Sequence, residues 1–226
     1  MTTAKPAAKG ARVLIVDDHP MTRAGLVHLI NHQPDLRVCG EAENAGQALD
    51  AVKASKPDLV LADITLPGKS GLELIKDIKA MRSELPVLVV SMHDESLYAD
   101  RVLRAGARGY ITKHEGGEKL MRAIRHVLGG KIYVSERISA HILEIFSGGQ
   151  AAPERSSIEQ LSDREFQVFE WIGEGLSARE IARRLHLSPK TVDAHRANIK
   201  EKLNIKVSSE LISYAARWIA YRASGE

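Results

Sequence analysis

Short apolar runs alternate with amphipathic segments through the first 130 residues of the chain. Five runs are rich in aliphatic residues, and several read as the nearly continuous apolar stretches of strands buried on both faces. They lie near 12–16, 36–41, 58–62, 87–91 and 108–112. Apolar residues recur at helical spacing after Pro20 and near 45–55, 71–82, 95–105 and 116–129. The alternation predicts an α/β fold, a doubly wound parallel sheet of five strands with helices on both sides.

Polar side chains stand where four of these predicted strands end. They are Asp17, Asp18, Asp63, Ser91 and Lys113. Ligands of such sheets bind outside the carboxyl ends of the strands. Carboxylates suit Mg²⁺, which also binds phosphate oxygens, and a lysine offsets charge on a phosphoryl group that an aspartate attacks. Each residue alone is explained as a helix cap or strand-end polar group, but together they predict that Asp63 accepts a phosphoryl group.

A second pattern begins at Leu161, where four helical segments follow within about 65 residues. Two S-x-x-E sequences, Ser162–Glu165 and Ser177–Glu180, are capping boxes that mark helix starts. Ser188 followed by Pro189 marks a third start, with serine as the cap and proline at the first helical position. The connection at 185–188 is short, so the second and third helices must cross sharply. This arrangement predicts a helix-turn-helix.

The third of these helices has an apolar face and a basic face. Val192, Ile199 and Leu203, with His195, are expected to pack inward. The opposite face and its flanks carry Lys190, Thr191, Asp193, Ala194, Arg196, Ala197, Asn198 and Lys200. Between residues 179 and 206 there are eight basic and three acidic residues, whereas the whole chain carries only +3. Small side chains on a basic helix suit the major groove of DNA, although a solvated helix in a small bundle is the alternative.

The remaining segments and the composition limit the domain organisation and the class of protein. Residues 1–10 are expected to be a disordered tail, and residues 131–160 a connector with a short amphipathic helix followed by a small, polar linker. No apolar run approaches the roughly 20 residues of a membrane span, so a cytoplasmic protein without membrane contact is expected. Cys39 alone forms no internal disulfide and fits a packed strand residue. The nine histidines lack the spacing of a structural zinc site.

The strand-end residues also resemble the receiver domain of two-component response regulators over residues 11–130. The matching features are Asp17-Asp18, the segment Asp63–Gly68, Ser91 and the segment Gly109–Lys113. The resemblance implies a flavodoxin-like receiver in which Asp17, Asp18 and Asp63 hold Mg²⁺ and Asp63 takes phosphate from a histidine kinase. It also implies that Ser91 moves toward the phosphoryl group, that Tyr110 follows it inward as a switch residue, and that Lys113 pairs with the phosphoryl group.

The segment from about residue 158 to residue 222 resembles the LuxR-type DNA-binding domain, and a helix-turn-helix domain is expected over 161–226. The matching segments are Leu161–Glu165, Gly175–Ser177, Glu180–Ala182, Leu187–Val192, His195–Ile199 and Lys202-Leu203. A receiver followed by this domain is the layout of the NarL/FixJ class. The resemblance implies contacts to the DNA backbone from Lys190, Thr191, His195 and Asn198, base-facing positions at 193, 194 and 197, and a dimer-forming last helix. Double-stranded DNA, a sensor histidine kinase, a second copy of the chain and RNA polymerase are the expected or candidate partners.

Three questions stay open in the sequence. Asp193 fits either recognition of cytosine or capping of its helix. Thr65 and His93 resemble positions that tune loss of the phosphoryl group, although His93 is also interpreted as a surface loop residue. The function predicted is a phosphorylation-controlled transcription regulator and not an enzyme. Its rivals are an enzyme that releases inorganic phosphate and a DNA-binding module independent of phosphorylation.

Overall fold

Five parallel strands form the predicted sheet. The computed structural model describes residues 10–140, 158 and 160–223. The strands are β1 (Ala11–Val16), β2 (Leu36–Ala42), β3 (Leu59–Ala62), β4 (Val87–Ser91) and β5 (Gly109–Thr112). They are ordered β2-β1-β3-β4-β5, and every neighbouring pair is parallel. The predicted α/β fold class is confirmed.

Helices follow each strand of this sheet. They are α1 (Pro20–Asn31), α2 (Ala45–Ser55), α3 (Gly71–Met81), α4 (Glu95–Arg104) and α5 (Gly117–Leu128). One continuous core joins inward residues of β1, β3 and β4, such as Ile15 and Leu61, to apolar residues of α1 and α5, such as Ile30 and Ile124. β3 and β4 are buried along their whole length and β1 along most of it, which accounts for their nearly uniform apolar composition, whereas the edge strand β2 is partly exposed.

Four further helices occupy the C-terminal part of the chain. They are α6 (Asp163–Gly173), α7 (Ala178–Leu185), α8 (Pro189–Lys202) and α9 (Ser208–Ala223). The capping boxes at Ser162 and Ser177 are confirmed, and Ser188 accepts a hydrogen bond from the backbone N–H of Thr191. His186 ends α7 in the left-handed conformation, with φ of 53°. The backbone therefore turns sharply between α7 and α8, as a helix-turn-helix requires.

The described residues group into two compact units. The first contains the residues up to Met92 together with Arg101–Val134, and the second contains His93–Asp100 and the residues from Ser135 onward. The predicted boundaries at 11–130, 131–160 and 161–226 stay a prediction. Residues 136–140 are helical, whereas the remainder of the predicted connector helix and most of the linker and N-terminal tail lie outside the described residues. Within the described ranges, no helix is long and apolar enough to cross a membrane.

Gly71 lets α3 begin against the end of β3. Its backbone N–H donates to the carbonyl of Ile64 at 2.7 Å. A Cβ atom at this position would lie 2.0 Å from the carbonyl oxygen of Asp63 and 2.7 Å from the Cα of Ile64. The close approach therefore excludes any side chain. Gly25 in α1 is the opposite case, since a Cβ there would meet no atom within 4 Å.

We expect Gly71→Ala to lower the free energy of unfolding by about 1–3 kcal/mol or more, because the clash is with backbone and the segment carrying Asp63 must shift. Gly25→Ala is the matched control and should raise it by roughly 0.5–1 kcal/mol, since alanine is the better helix former. Urea denaturation of both variants measures the difference. Equal stability of the two variants would show that the backbone at Asp63 and Ile64 can shift to accommodate a Cβ atom at position 71.

Candidate functional site

The register of the sheet brings the predicted acidic residues to one edge. Val16 of β1 pairs with Ala62 of β3, so Asp17 and Asp63 follow at the same level. The Asp63 N–H donates to the carbonyl of Val16 at 2.9 Å, which fixes this alignment by a ladder hydrogen bond. Asp17 and Asp63 are buried, with 2% and 4% of their surfaces exposed. Two carboxylates removed from water at short range require a positive partner.

Lys113 provides that partner from the end of β5. Its Nζ lies 2.6 Å from Oδ2 of Asp17 and 2.6 Å from Oδ2 of Asp63. Its backbone N–H donates to the carbonyl of Ser91 at 2.8 Å, which ties it to the end of β4. The structure thus brings Asp17, Asp63 and Lys113 together as the sequence predicted.

The charges in this pocket shift each other's protonation. Burial raises the pKa of Asp63, the hydrogen-bonded Lys113 opposes this, and Asp17 adds a further rise. Burial lowers the pKa of Lys113, but Asp63 and Asp17 outweigh that effect and the net pKa lies above its usual value. Lys113 therefore stays protonated, and the pocket favours additional positive charge beside Asp63.

Four potential metal ligands surround this point. Ligand atoms of Asp17, Asp18, His19 and Asp63 all lie within 4.8 Å of one another. Carboxylate oxygens are the ligands that Mg²⁺ prefers, and three of the four residues offer them. The donor set fits Mg²⁺. His19, whose Nδ1 lies 2.7 Å from Oδ1 of Asp18, joins the cluster although the sequence prediction omitted it. Its place directly after the acidic pair was the available signal.

The remaining predicted receiver residues lie on neighbouring strands. Ser91 ends β4 and is fully buried, and Tyr110 lies in β5 with 1% of its surface exposed. The Thr65 backbone N–H donates to Oδ1 of Asp63 at 3.3 Å. Ser91 is thus placed one strand away from β3, at the same sheet edge as Asp63.

His93 lies in the loop between β4 and α4, as interpreted, but its side chain is largely covered. Only 11% of its side chain is exposed, and its Nδ1 lies 3.1 Å from Oε1 of Glu170 within the second unit. The other oxygen of Glu170 accepts a hydrogen bond from the Tyr98 hydroxyl at 2.5 Å. Neither Tyr98 nor Glu170 was predicted as functional. Their only sequence signal was the polar spacing of the helix that carries Glu170.

The predicted DNA-binding helix α8 has the expected two faces. Val192 and Ile199 are fully buried, while His195 is partly buried. Most of the predicted contact residues are exposed, namely Lys190, Thr191, Asp193, Ala194, Ala197 and Asn198, whereas Arg196 and Lys200 are partly exposed. The outer surface of α8 thus presents a basic helix with small residues at its centre, the shape suited to a major groove.

Asp193 does not cap this helix, so the capping interpretation is wrong. Ser188 is the cap, and Asp193 lies beyond the first turn. Its carboxylate lies 3.8 Å from Nη1 of Arg196, one turn along. Because Asp193 is exposed, its carboxylate is free to face a base edge, which leaves base recognition as the prediction.

An ion pair fixes α8 to α6. Lys202 Nζ lies 2.6 Å from Oε2 of Glu165, a carboxylate that also closes the capping box at Ser162. Burial raises the pKa of Glu165, but hydrogen bonds from Lys202 and Ser162 outweigh it and hold that pKa below its usual value. The capping pattern predicted the contact of Glu165 with Ser162, whereas no sequence pattern pointed to its pairing with Lys202.

The last helix, α9, packs its apolar residues inward. Leu211 and Ala215 are fully buried, and Trp218 lies edge-on to Phe166 and Phe169 of α6. Val207, just before the helix, and Ile212 are more than 40% exposed. Among the described side chains of residues 203–220, these two are the exposed large apolar ones.

Two family models match the chain. The response regulator receiver domain matches residues 13–125, and the luxR family of bacterial regulatory proteins matches residues 159–215. The chain is 35% identical over 210 residues to the oxygen regulatory protein NreC of Staphylococcus aureus, which covers 91% of this chain and 97% of NreC. NreC of Staphylococcus haemolyticus is 34% identical over the same lengths.

Solved structures agree in fold. A LuxR-family response regulator of Aurantimonas is 36% identical, with a TM-score of 0.57, over 62% of this chain and 99% of that protein. RcsB of Salmonella enterica serovar Typhimurium, solved on the promoter rprA with the phosphomimetic BeF₃⁻, is 25% identical, with a TM-score of 0.61, over 92% of this chain and 99% of that one. The chain therefore belongs to the DNA-binding two-component response regulators of the NarL/FixJ class, which join a receiver domain to a LuxR-type helix-turn-helix domain.

Proposed function

We propose that this chain is a phosphorylation-controlled transcription regulator in which Asp63 accepts a phosphoryl group from a histidine kinase. The observation that carries the proposal is the position of Lys113 Nζ, 2.6 Å from both Asp17 and Asp63. A buried nucleophilic carboxylate, a second carboxylate and a fixed lysine are the parts that phosphoryl transfer to aspartate needs.

The transfer exchanges one bond for another. An oxygen of Asp63 attacks the phosphorus of a phosphohistidine, a P–O bond forms, and the N–P bond breaks with its electrons left on the imidazole. Lys113, held by Asp17 and Asp63, offsets the negative charge that builds on the phosphoryl oxygens. No base needs to remove a proton from Asp63, because the attacking group is already a carboxylate.

Mg²⁺ is the proposed cofactor, held by Asp17, Asp18 and Asp63. When bound, it neutralises charge on the transferring phosphoryl oxygens. The raised pKa of Asp63 is consistent with this requirement, since further positive charge favours its ionised form. Lys113 contacts Oδ2 of Asp17 and Oδ2 of Asp63, and both carboxylates are proposed Mg²⁺ ligands. Removal of Lys113 should therefore change how much a bound cation stabilises the protein.

DNA binding is the proposed output. The exposed face of α8 carries the predicted backbone contacts Lys190, Thr191, His195 and Asn198, and the base-facing positions are Asp193, Ala194 and Ala197. Arg196 and Lys200 complete the basic surface. After phosphorylation, Ser91 moves toward the phosphoryl group and Tyr110 follows, which favours a dimer on a two-part site. The RcsB structure on promoter DNA with a phosphomimetic supports this output. RNA polymerase is the candidate partner at such a site.

We expect Lys113→Met to lower the free energy of unfolding by about 3–5 kcal/mol in metal-free buffer, because two buried carboxylates lose their cation. Added Mg²⁺ should restore part of this loss. Mg²⁺ should also raise the melting temperature of the variant by more than it raises that of the wild type. Thermal unfolding with EDTA and with Mg²⁺ measures both effects. Lys53→Met, at an exposed lysine of α2, is the control. If Mg²⁺ stabilises neither wild type nor variant, the proposed cation site is wrong.

Asp63→Asn should abolish labelling by radioactive acetyl phosphate and remove any effect of phosphorylation on DNA affinity. The wild type should bind DNA selected from a random pool roughly tenfold more tightly after phosphorylation. Asp50→Asn, at an 83% exposed carboxylate, is the matched control and should behave like wild type. A phosphorylation-independent module would show equal DNA affinity in all states. Rapid steady release of phosphate would instead favour the enzyme alternative.

For the DNA interface, the logarithm of affinity should fall with the logarithm of salt concentration, with a slope of about −0.9 for each phosphate contact. Lys200→Ala should weaken binding to every sequence and reduce the slope by about 1, whereas Ala194→Val should change which sequences are preferred. Fluorescence anisotropy over a salt series checks this, with Lys53→Ala as the control. A slope near zero would exclude groove binding by α8.

A further inference from the structure

Helix α6 is buried along nearly its whole length, including its polar stripe. Every residue from Arg164 to Ile172 is buried, and among them Gln167 and Glu170 have 0% and 1% of their surfaces exposed. Arg164, Gln167 and Glu170 recur every three residues, so they form one polar face, opposite the aromatic residues that meet α9. A polar face of this kind normally meets water. Here the polar face is covered by protein, and the covering residues make polar contacts with Glu170.

Residues His93–Asp100 belong to the same unit and supply the contacts to Glu170. His93 lies 3.1 Å from one carboxylate oxygen, and the Tyr98 hydroxyl lies 2.5 Å from the other. The Tyr98 ring is fully buried and packs edge-on against Phe166, with ring centroids 5.1 Å apart. The His93 ring also lies beside the Trp171 ring, with centroids 6.1 Å apart. Both oxygens of a buried carboxylate are therefore satisfied by one eight-residue segment.

This contact has the chemistry of a reversible attachment. Buried, Glu170 needs both partners, because an unsatisfied carboxylate in the interior is strongly unfavourable. Separated, the carboxylate, the imidazole and the phenol are all well hydrated. The polar part of the contact therefore adds only a modest net free energy to the closed state, as a two-state element that a ligand or modification can shift requires.

The covalent chain links this contact to the phosphoacceptor pocket. His93 follows the switch candidate Ser91 by two residues, so a movement of Ser91 would act on the segment that carries His93. At the other end, α6 holds the DNA-binding helix through Glu165 and Lys202. A helix fastened by Glu170 cannot reorient freely, whereas a dimer must place two recognition helices at half-sites about 34 Å apart.

We propose that His93 and Tyr98 form a latch on Glu170 that keeps the unphosphorylated chain in a state of low DNA affinity, and that phosphorylation of Asp63 opens it. The inference rests on the proposed function and adds the contact through which that function is regulated. The latch comprises His93, Tyr98 and Glu170. By linkage, a substitution that breaks the latch must raise DNA affinity as phosphorylation does. Phosphorylation must then raise the DNA affinity of such a variant by less than it raises that of wild type.

Tyr98→Phe and Glu170→Gln in the full-length chain test the latch. Tyr98→Phe removes one hydroxyl and keeps the packed ring, so it stays informative if Glu170→Gln fails to fold. Without phosphodonor, each variant should bind a selected DNA duplex about 5- to 50-fold more tightly than wild type. With Mg²⁺ and beryllofluoride, variants and wild type should converge. Tyr133→Phe and Glu84→Gln, both in the first unit, are the controls.

Trp171 gives an independent readout of the same event. The chain has two tryptophans, so a Trp218→Phe background leaves Trp171 as the single reporter. Trp171 is 3% exposed beside His93, and opening of the latch should shift its emission to longer wavelength and increase quenching by acrylamide. Beryllofluoride should produce this change in the reporter chain, and Tyr98→Phe should produce it without beryllofluoride.

The outcomes separate the two proposals. If Asp63 takes no label and DNA affinity does not respond, the proposed function fails and the latch fails with it. If wild type responds but Tyr98→Phe and Glu170→Gln retain its affinities in both states, and Trp171 emission stays constant, the latch alone is wrong. Tighter unphosphorylated binding of both folded variants, together with the Trp171 shift, supports it.

Discussion

One lysine between two buried carboxylates is the contact around which the first unit is arranged. Asp17 and Asp63 come from adjacent strands, and Lys113 reaches both from the last strand. Taking three charges out of water is unfavourable unless each is paired, so the geometry of this trio is tightly constrained. The uniformly apolar strands beneath it provide the rigid support, because a packed core does not deform continuously.

The same pocket is balanced so that a modification changes it strongly. One lysine cannot fully offset two carboxylates, and burial keeps the pKa of Asp63 above its usual value. A phosphoryl group adds further negative charge and new acceptor oxygens at this point. The fully buried Ser91, at the end of the neighbouring strand, is the hydroxyl placed to respond.

In the second unit, the helix-turn-helix is built around α6. Its apolar side packs on α9, its first turn holds α8 through Glu165 and Lys202, and its polar side is covered by His93 and Tyr98. A helix buried on every side is usually apolar on every side. The polar stripe of α6 instead indicates a surface that meets water in one state and protein in another, and its partners lie two and seven residues after Ser91.

The sequence by itself determined the strands, the helices, their caps and the candidate pocket. This succeeded because each depends on local chemistry: uninterrupted apolar runs for strands, S-x-x-E for helix starts, and polar residues where strands end. Only the tertiary structure decided that Lys113 bridges Asp17 and Asp63, that Lys202 holds Glu165, and that His93 packs against Glu170. Glu170 is 77 residues from His93, and local patterns carry no information about which distant segment will cover a polar helix face.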